Sequence, residues 1–292
     1  MMIPPSFDYY VPNSVNDAIG MLKQYGSEAK LLSGGMSLIP LMKLRLANPA
    51  CLIDINRISG LDHISEAGGF LRIGALVREA DLEKSEIIRS KYPLLLDTTL
   101  VIADPLVRNR ATIGGNLAHG DPANDHPATM LALEAEIVAV GSQGERRMPV
   151  TSFFTDLFTT ALRSDEILTE IRIPIPPPGS GGAYFKLERK VGDFATAGVA
   201  VQLTVGKDDV YKRVGIGLTN VGLTPIKAKK AEAALQEKKI DGASIKRAAE
   251  LAAEESAPTA DLRGSEEYKR DLVRVLTARA LNRALERSRG GK

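Results

Sequence analysis

The chain has one cysteine, three histidines and almost no excess of charge, and each shortage removes a class of function. With Cys51 alone there is no internal disulfide, no zinc site built from cysteines and no iron–sulfur cluster held by this chain itself. Cys51 opens the apolar run Cys51-Leu52-Ile53 and reads as a small buried hydrophobe. The 38 basic residues are offset by 36 acidic ones, for a formal net charge of +2, and the two signs are interspersed. Such balance provides no electrostatic footprint for nucleic acid or an anionic membrane. No apolar run approaches the ~20 residues of a membrane span. The start, Met1-Met2-Ile3-Pro4-Pro5-Ser6, lacks the charged and apolar regions of a secretory signal, so the expected compartment is the cytoplasm. Neither the Rossmann pattern G-x-G-x-x-G nor the P-loop pattern G-x-x-x-x-G-K-S/T is present. Ser33 and Ser37 have no nearby base in sequence, which argues against acyl transfer.

What is present is ordinary globular composition, 44% hydrophobic and 25% charged, on a length that suggests about two domains. Two glycine segments stand out, Ser33-Gly34-Gly35-Met36-Ser37 and Thr112-Ile113-Gly114-Gly115-Asn116. Paired glycines permit φ > 0 and close approach of backbone to a ligand. Successive free N–H groups in such turns form a concavity for an anion such as a pyrophosphate. A single Gly-Gly pair is more often an ordinary loop turn. Here Ser33, Ser37 and Thr112 add hydroxyls, and Asn116 adds an amide that donates and accepts. Two such turns, distant in sequence, suggest one dinucleotide held between two subdomains.

The pattern predicts a helix from Ser14, as N-cap, to Tyr25, with Gly26 ending it. A strand at Ala29–Leu32, a helix opening at Ser37 and running to Leu44–Leu46, and a buried strand Cys51–Ile55 complete a compact α/β unit. A hairpin follows around Glu66-Ala67-Gly68-Gly69, then helices at Ala80–Ser85, Tyr92–Thr99 and Pro127–Leu133. Strands are expected at Ile137–Val140, Arg146–Val150 and Ile167–Ile173. Residues 174–182, rich in proline and then glycine, read as a linker. Beyond it come a small antiparallel sheet of three strands (Tyr184–Leu187, Gly198–Val205, Val210–Leu218) and helices at Ile226–Lys238, Ser244–Glu255 and Glu266 to about Arg287. Tyr268, Leu272, Val275 and Leu276 form an apolar stripe on the last helix, expected to pack on its own domain.

Several stretches together resemble a known family. They are Leu31 to Pro40, Arg45-Leu46-Ala47, Leu52 to Ile55, Leu71 to Leu76, Asp104 to His119, Asp121 to Asp125, Glu166-Ile167-Leu168, Gly192 to Ala195, and Gly264-Ser265 with Tyr268. In this order they are similar to the FAD-binding medium subunit of the molybdenum hydroxylases, the flavoprotein of the carbon monoxide dehydrogenase and xanthine dehydrogenase family. The resemblance spans nearly the whole chain. It implies an α+β fold: a two-subdomain FAD-binding domain of the vanillyl-alcohol-oxidase type at 1–176, split into about 1–56 and 57–176, and a C-terminal domain at 177–292. Carried over by position, Leu32, Ser33, Gly34, Gly35, Met36 and Ser37, with Ala111, Thr112, Ile113, Gly114, Gly115 and Asn116, wrap the FAD pyrophosphate and ribityl chain. Asp125 corresponds to the acid on the flavin side, Ile102 and Ala103 to a segment approaching the flavin, and Leu168 and Phe194 to packing around the rings. Leu38, Ala118 and Lys186 join the same cofactor-binding set.

The implied complex has a molybdopterin large subunit and a small subunit with two two-iron two-sulfur clusters, arranged as a dimer of heterotrimers. Electrons pass from those clusters to FAD and on to an external acceptor. FAD is expected to be noncovalent, since Cys51 sits in a core strand and no histidine precedes the first glycine segment. The chain departs from the family pattern at two places: Glu79 stands where a histidine is common, and His126 where an apolar residue is expected. His119, Asp121, Asp125 and His126 have the composition of a metal site, but two histidines on either side of Pro122 need not converge, and no metal is expected. His119 would instead border the flavin and tune it, while His63 reads as a surface or hairpin residue. The alternatives are a self-sufficient FAD oxidase and a nucleotide-binding module without turnover.

Overall fold

The computed structural model describes residues 3–291. Its first layer is a three-stranded parallel sheet in the order β1 (Asp8–Tyr10), β3 (Cys51–Asp54), β2 (Ala29–Leu32). Two helices serve this sheet: α1 (Val15–Tyr25) and α2 (Leu38–Lys43). α1 begins where the Ser14 hydroxyl accepts from the Asp17 N–H at 3.1 Å, and ends at Gly26, whose φ is 54°. Its apolar side, Ala18, Ile19 and Leu22, packs with Cys51 and Ile53 into one small core.

The second layer is a five-stranded antiparallel sheet. It is built from β4 (Ile64–Ala67), β5 (Phe70–Gly74), β6 (Glu136–Gly141), β7 (Gly144–Pro149) and a later strand (Ile167–Pro174) that pairs between β5 and β6. The helices α3 (Glu79–Lys84), α4 (Glu86–Lys91), α5 (Pro93–Leu100), α6 (Pro105–Arg108), α7 (Ile113–His119) and α8 (Asp125–Ala132) lie between β5 and β6 in the chain. A short hairpin, β8 (Phe154–Asp156) and β9 (Thr159–Thr160), precedes that central strand, β10. Three of these helices, α4, α6 and α7, are not expected from the sequence. All are short, and each is started by a side-chain cap, Ser85, Asp104 and Thr112, instead of by an apolar stripe.

The C-terminal sheet has four strands, not three: β11 (Ser180–Leu187), β12 (Ala197–Val205), β13 (Tyr211–Thr219) and β14 (Ile226–Lys227). The fourth takes the residues expected to open a helix. Ile226 and Lys227 pair with Leu218 and Gly217, and α9 (Lys229–Leu235) starts only after the chain leaves the sheet edge. α10 (Gly242–Glu255) and α11 (Glu266–Ser288) cover this sheet. The expected stripe on α11 is rotated. Tyr268 and Val275 are exposed, and the buried line runs through Val273, Leu276, Ala280, Leu281 and Ala284. The linker is shorter than 174–182, because Pro174 ends β10 and Ser180 begins β11.

The two larger units meet through backbone. A Cβ on Gly217 would lie 2.0 Å from the Ala128 carbonyl oxygen, so α8 rests directly on β13. Arg287 of α11 forms an ion pair with Asp97 of α5 at 2.6 Å and donates to the Gly182 carbonyl, which fastens the last helix back onto the central unit. Among the described residues no helix is long and apolar enough to cross a membrane.

Candidate cofactor site

A cavity of about 650 Å³ opens where the three units converge, within the range usual for small-molecule sites. Its wall contains every residue of the expected cofactor-binding set except Ile113 and Lys186. The side chain of Ile113 points into the core and is fully buried. Lys186 lies behind the wall.

β2 delivers the first glycine segment. Gly35 has φ 76°, the left-handed region that only glycine enters freely. Among the described residues the N–H groups of Gly34, Gly35, Met36 and Ser37 have no hydrogen-bond acceptor, since the chain turns away from the sheet before α2 begins.

The second segment differs from the expected turn. Thr112 is the N-cap of α7, so Gly114 and Gly115 sit in a helical first turn, and neither has positive φ. Its N–H groups are already used. Ile113 donates to Val77 O at 3.1 Å, Gly114 to Ala75 O at 3.0 Å, Gly115 to Thr112 Oγ1 at 3.1 Å and Asn116 to Thr112 O at 2.9 Å. The glycines are needed here for lack of bulk. A Cβ on Gly114 would lie 2.6 Å from the Ala75 carbonyl oxygen, and one on Gly115 2.9 Å from Ser33 Oγ. Ser33 and Thr112 hydroxyls meet at 3.1 Å and join the two segments.

Lys186 is 2% exposed and holds three oxygens: Asp125 Oδ2 at 3.1 Å, Glu188 Oε2 at 3.2 Å and the Asp193 carbonyl at 3.0 Å. Tyr184 donates to Asp125 Oδ1 at 2.6 Å. Burial pushes the Asp125 carboxyl up, opposed by Lys186 and Tyr184, while burial and the adjacent Asp125 hold the Tyr184 phenol well above its ordinary value. Lys186 thus supports Asp125 and the 188–194 loop from behind.

Residues the sequence did not flag also line the wall. Phe158, Thr160, Arg163 and Ser164 come from the β8–β9 hairpin and the turn after it, which carry no motif. His119 faces the cavity with its ring 5.3 Å from that of Phe158, and burial lowers its pKa. Ala103 and Phe158 hold left-handed backbone at φ 46° and 51° on the same wall, a conformation that costs non-glycine residues energy and concentrates at functional sites.

The four residues with metal-site composition do not converge. His126 Nε2 lies 2.7 Å from Glu79 Oε2 with both side chains fully buried, so the two departures from the family pattern are partners of each other. Among the described residues no group of three His, Cys, Asp or Glu side chains is placed to hold a metal ion. His63 is a bridging residue at the sheet, bonded to Gly60 O and Glu170 Oε2, each at 3.0 Å.

An elongated anion-bearing cofactor fits these residues. Four open N–H groups meet the charge, glycines keep the wall thin, and Asn116 Oδ1 is a buried acceptor left without a donor.

Residues 5–176 match the model of the FAD binding domain in molybdopterin dehydrogenase, and residues 182–284 match the carbon monoxide dehydrogenase flavoprotein C-terminal domain. The chain is 46% identical to the carbon monoxide dehydrogenase medium chain of Hydrogenophaga pseudoflava over 98% of this chain and 99% of that one. It is 43% identical to the medium chain from Afipia carboxidovorans over 99% and 100%. The structure superposes with TM-score 0.96 and 47% identity on a chain of the Hydrogenophaga pseudoflava carbon monoxide dehydrogenase that lacks the Mo-pyranopterin moiety, covering 98% and 99% of the two chains. The chain therefore belongs to the family of FAD-binding medium subunits of the molybdenum hydroxylases.

Proposed function

We propose that this chain holds FAD noncovalently in the cavity and works as the electron-transfer flavoprotein of a cytoplasmic molybdenum hydroxylase. A molybdopterin large subunit would oxidise the substrate, and a small subunit with two two-iron two-sulfur clusters would feed electrons to this chain, in a dimer of heterotrimers. FAD, when bound, takes up electrons from one partner and releases them to another. The observation that carries the reading is the row of open N–H groups at Gly34, Gly35, Met36 and Ser37 on the cavity wall, which suits a diphosphate. The remaining residues of the set then take fixed roles. Ser33, Thr112 and the bulk-free Gly114 and Gly115 shape the cleft between subdomains 1–56 and 57–176, the vanillyl-alcohol-oxidase arrangement. Asn116 donates from its Nδ2 or accepts at Oδ1. Leu32, Leu38, Ala111, Ala118 and Leu168 exclude water from the cofactor. Ile102, Ala103, Asp125 and Phe194 border the ring system, with Lys186 fixing Asp125. Residues 177–292 close the cleft through the 188–194 loop.

The single cysteine, buried in β3, supplies no cluster ligands, so the clusters belong to another chain. Purification of the chain coexpressed with its neighbouring subunits tests this. The account expects flavin, iron and molybdenum in one complex, with all flavin released by acid precipitation. Flavin reduced by substrate on the lone chain, without iron or molybdenum, would favour the self-sufficient oxidase.

A further inference from the structure

Arg78 is a half-buried guanidinium that no carboxylate pairs with among the described residues, and it stands between the two glycine segments. One nitrogen donates to the Arg110 carbonyl and the other to Asn56 Oδ1. Both acceptors lead to the glycines. The Arg110 carbonyl is the atom against which Gly34 packs, and a Cβ on Gly34 would lie 2.5 Å from it. Asn56 uses both of its amide protons: its Nδ2 donates to the Ser33 carbonyl at 2.9 Å and to Asp54 Oδ1 at 2.6 Å, while its Oδ1 receives Arg78. Arg78 is also bridged through its backbone to Thr112.

We infer that Arg78, acting through Asn56, is the positioning residue that sets the spacing of the two glycine segments around the FAD diphosphate. The planar fork of arginine reaches two fixed acceptors at once, which one ammonium cannot do as rigidly. Burial, and the neighbouring Arg110 cation, disfavour the charge of Arg78, while the Asp81 and Asp54 carboxylates favour it. The brace therefore shapes the cleft from behind its wall. It binds the turn after β3 in the first subdomain to the start of α3 and the approach to α7 in the second.

This inference rests on the cavity being the FAD site. FAD titration of the deflavinated complex separates the two ideas. If the unmutated protein fails to take up FAD, the cavity reading falls. If it does take up FAD, Arg78→Met is expected to raise the dissociation constant at least tenfold, with the melting temperature of the deflavinated protein unchanged. Arg78→Lys should recover part of the loss. Asn56→Ala should weaken FAD to a similar degree, and the double variant should bind no worse than either single one, because the two act through one contact. Unchanged affinity in Arg78→Met would overturn the inference. So would a fall in melting temperature that accounts for the whole loss and that Arg78→Lys does not reverse.

Discussion

Among the described residues, four successive N–H groups in the first glycine segment, Gly34 to Ser37, have no acceptor, whereas in the second four successive N–H groups, Ile113 to Asn116, all donate within the protein. The first has a left-handed glycine at Gly35; the second has none and begins a helix. The same residue pair thus meets two different needs. In the first segment glycine permits a turn on the cavity wall whose N–H groups are not used within the described residues. In the second it removes side chains so that Ala75 and Ser33 can approach the backbone. In the proposed function the first segment holds the diphosphate and the second forms the wall.

The contrast can be broken most severely from behind the wall. Glu79 donates its N–H to Ala111 O, next to the second segment, and its side chain is fully buried against His126. His126→Ala leaves that carboxyl without a partner and is expected to cost about 3–5 kcal/mol in chemical denaturation, as for other broken buried pairs. A loss below about 1 kcal/mol would show that water reaches Glu79 and that the wall is softer than described. Gly114→Val drives a branched side chain into the Ala75 backbone, 2.6 Å from its carbonyl oxygen. It should destabilise the deflavinated protein by about 3 kcal/mol, read by melting.

Gly35→Ala sharpens the comparison from the other side. Its φ of 76° strains an alanine, and the new methyl group meets only side-chain ends, Ile39 Cδ1 at 2.8 Å and Leu32 Cδ1 at 3.3 Å. Stability should fall by about 1 kcal/mol, while FAD affinity falls tenfold or more because the donors turn away. Equal losses in stability from Gly35→Ala and Gly114→Val would erase the distinction.

The smallest effect is in pH. Burial lowers the His119 pKa below its ordinary 6.5. The unfolded chain therefore takes up this proton more readily than the folded one. Stability from this group is present above pH 6.5 and is lost as pH falls below it. His119→Gln should flatten that part of a melting-temperature profile; an unchanged slope would place its origin elsewhere.

Much of the fold is legible from local signals. Ser14 and Gly26 bracket α1, and Glu66 to Gly69 mark the β4–β5 hairpin. Signals fail where tertiary contacts decide. Ile226 and Lys227 continue a helical pattern yet join a sheet edge, and the buried line of α11 runs through alanines that no hydrophobic stripe announces. At the cavity, the glycine segments are visible because their composition is unusual. Phe158 and Arg163 on the wall, and Arg78 behind it, are ordinary residues whose place depends on chain crossings far from them in sequence. The partnership of Glu79 with His126 spans 47 positions and appears in sequence only as two separate oddities.

Hydrogen exchange, followed by mass spectrometry on the complex with and without FAD, tests the division between the two segments most directly. Peptides covering Gly34 to Ser37 should exchange fast without FAD and slow markedly when it binds. Peptides covering Ile113 to Asn116 should be protected in both states, because their N–H groups already have acceptors. Protection that appears on FAD binding only in the second segment, with the first unchanged, would contradict the account.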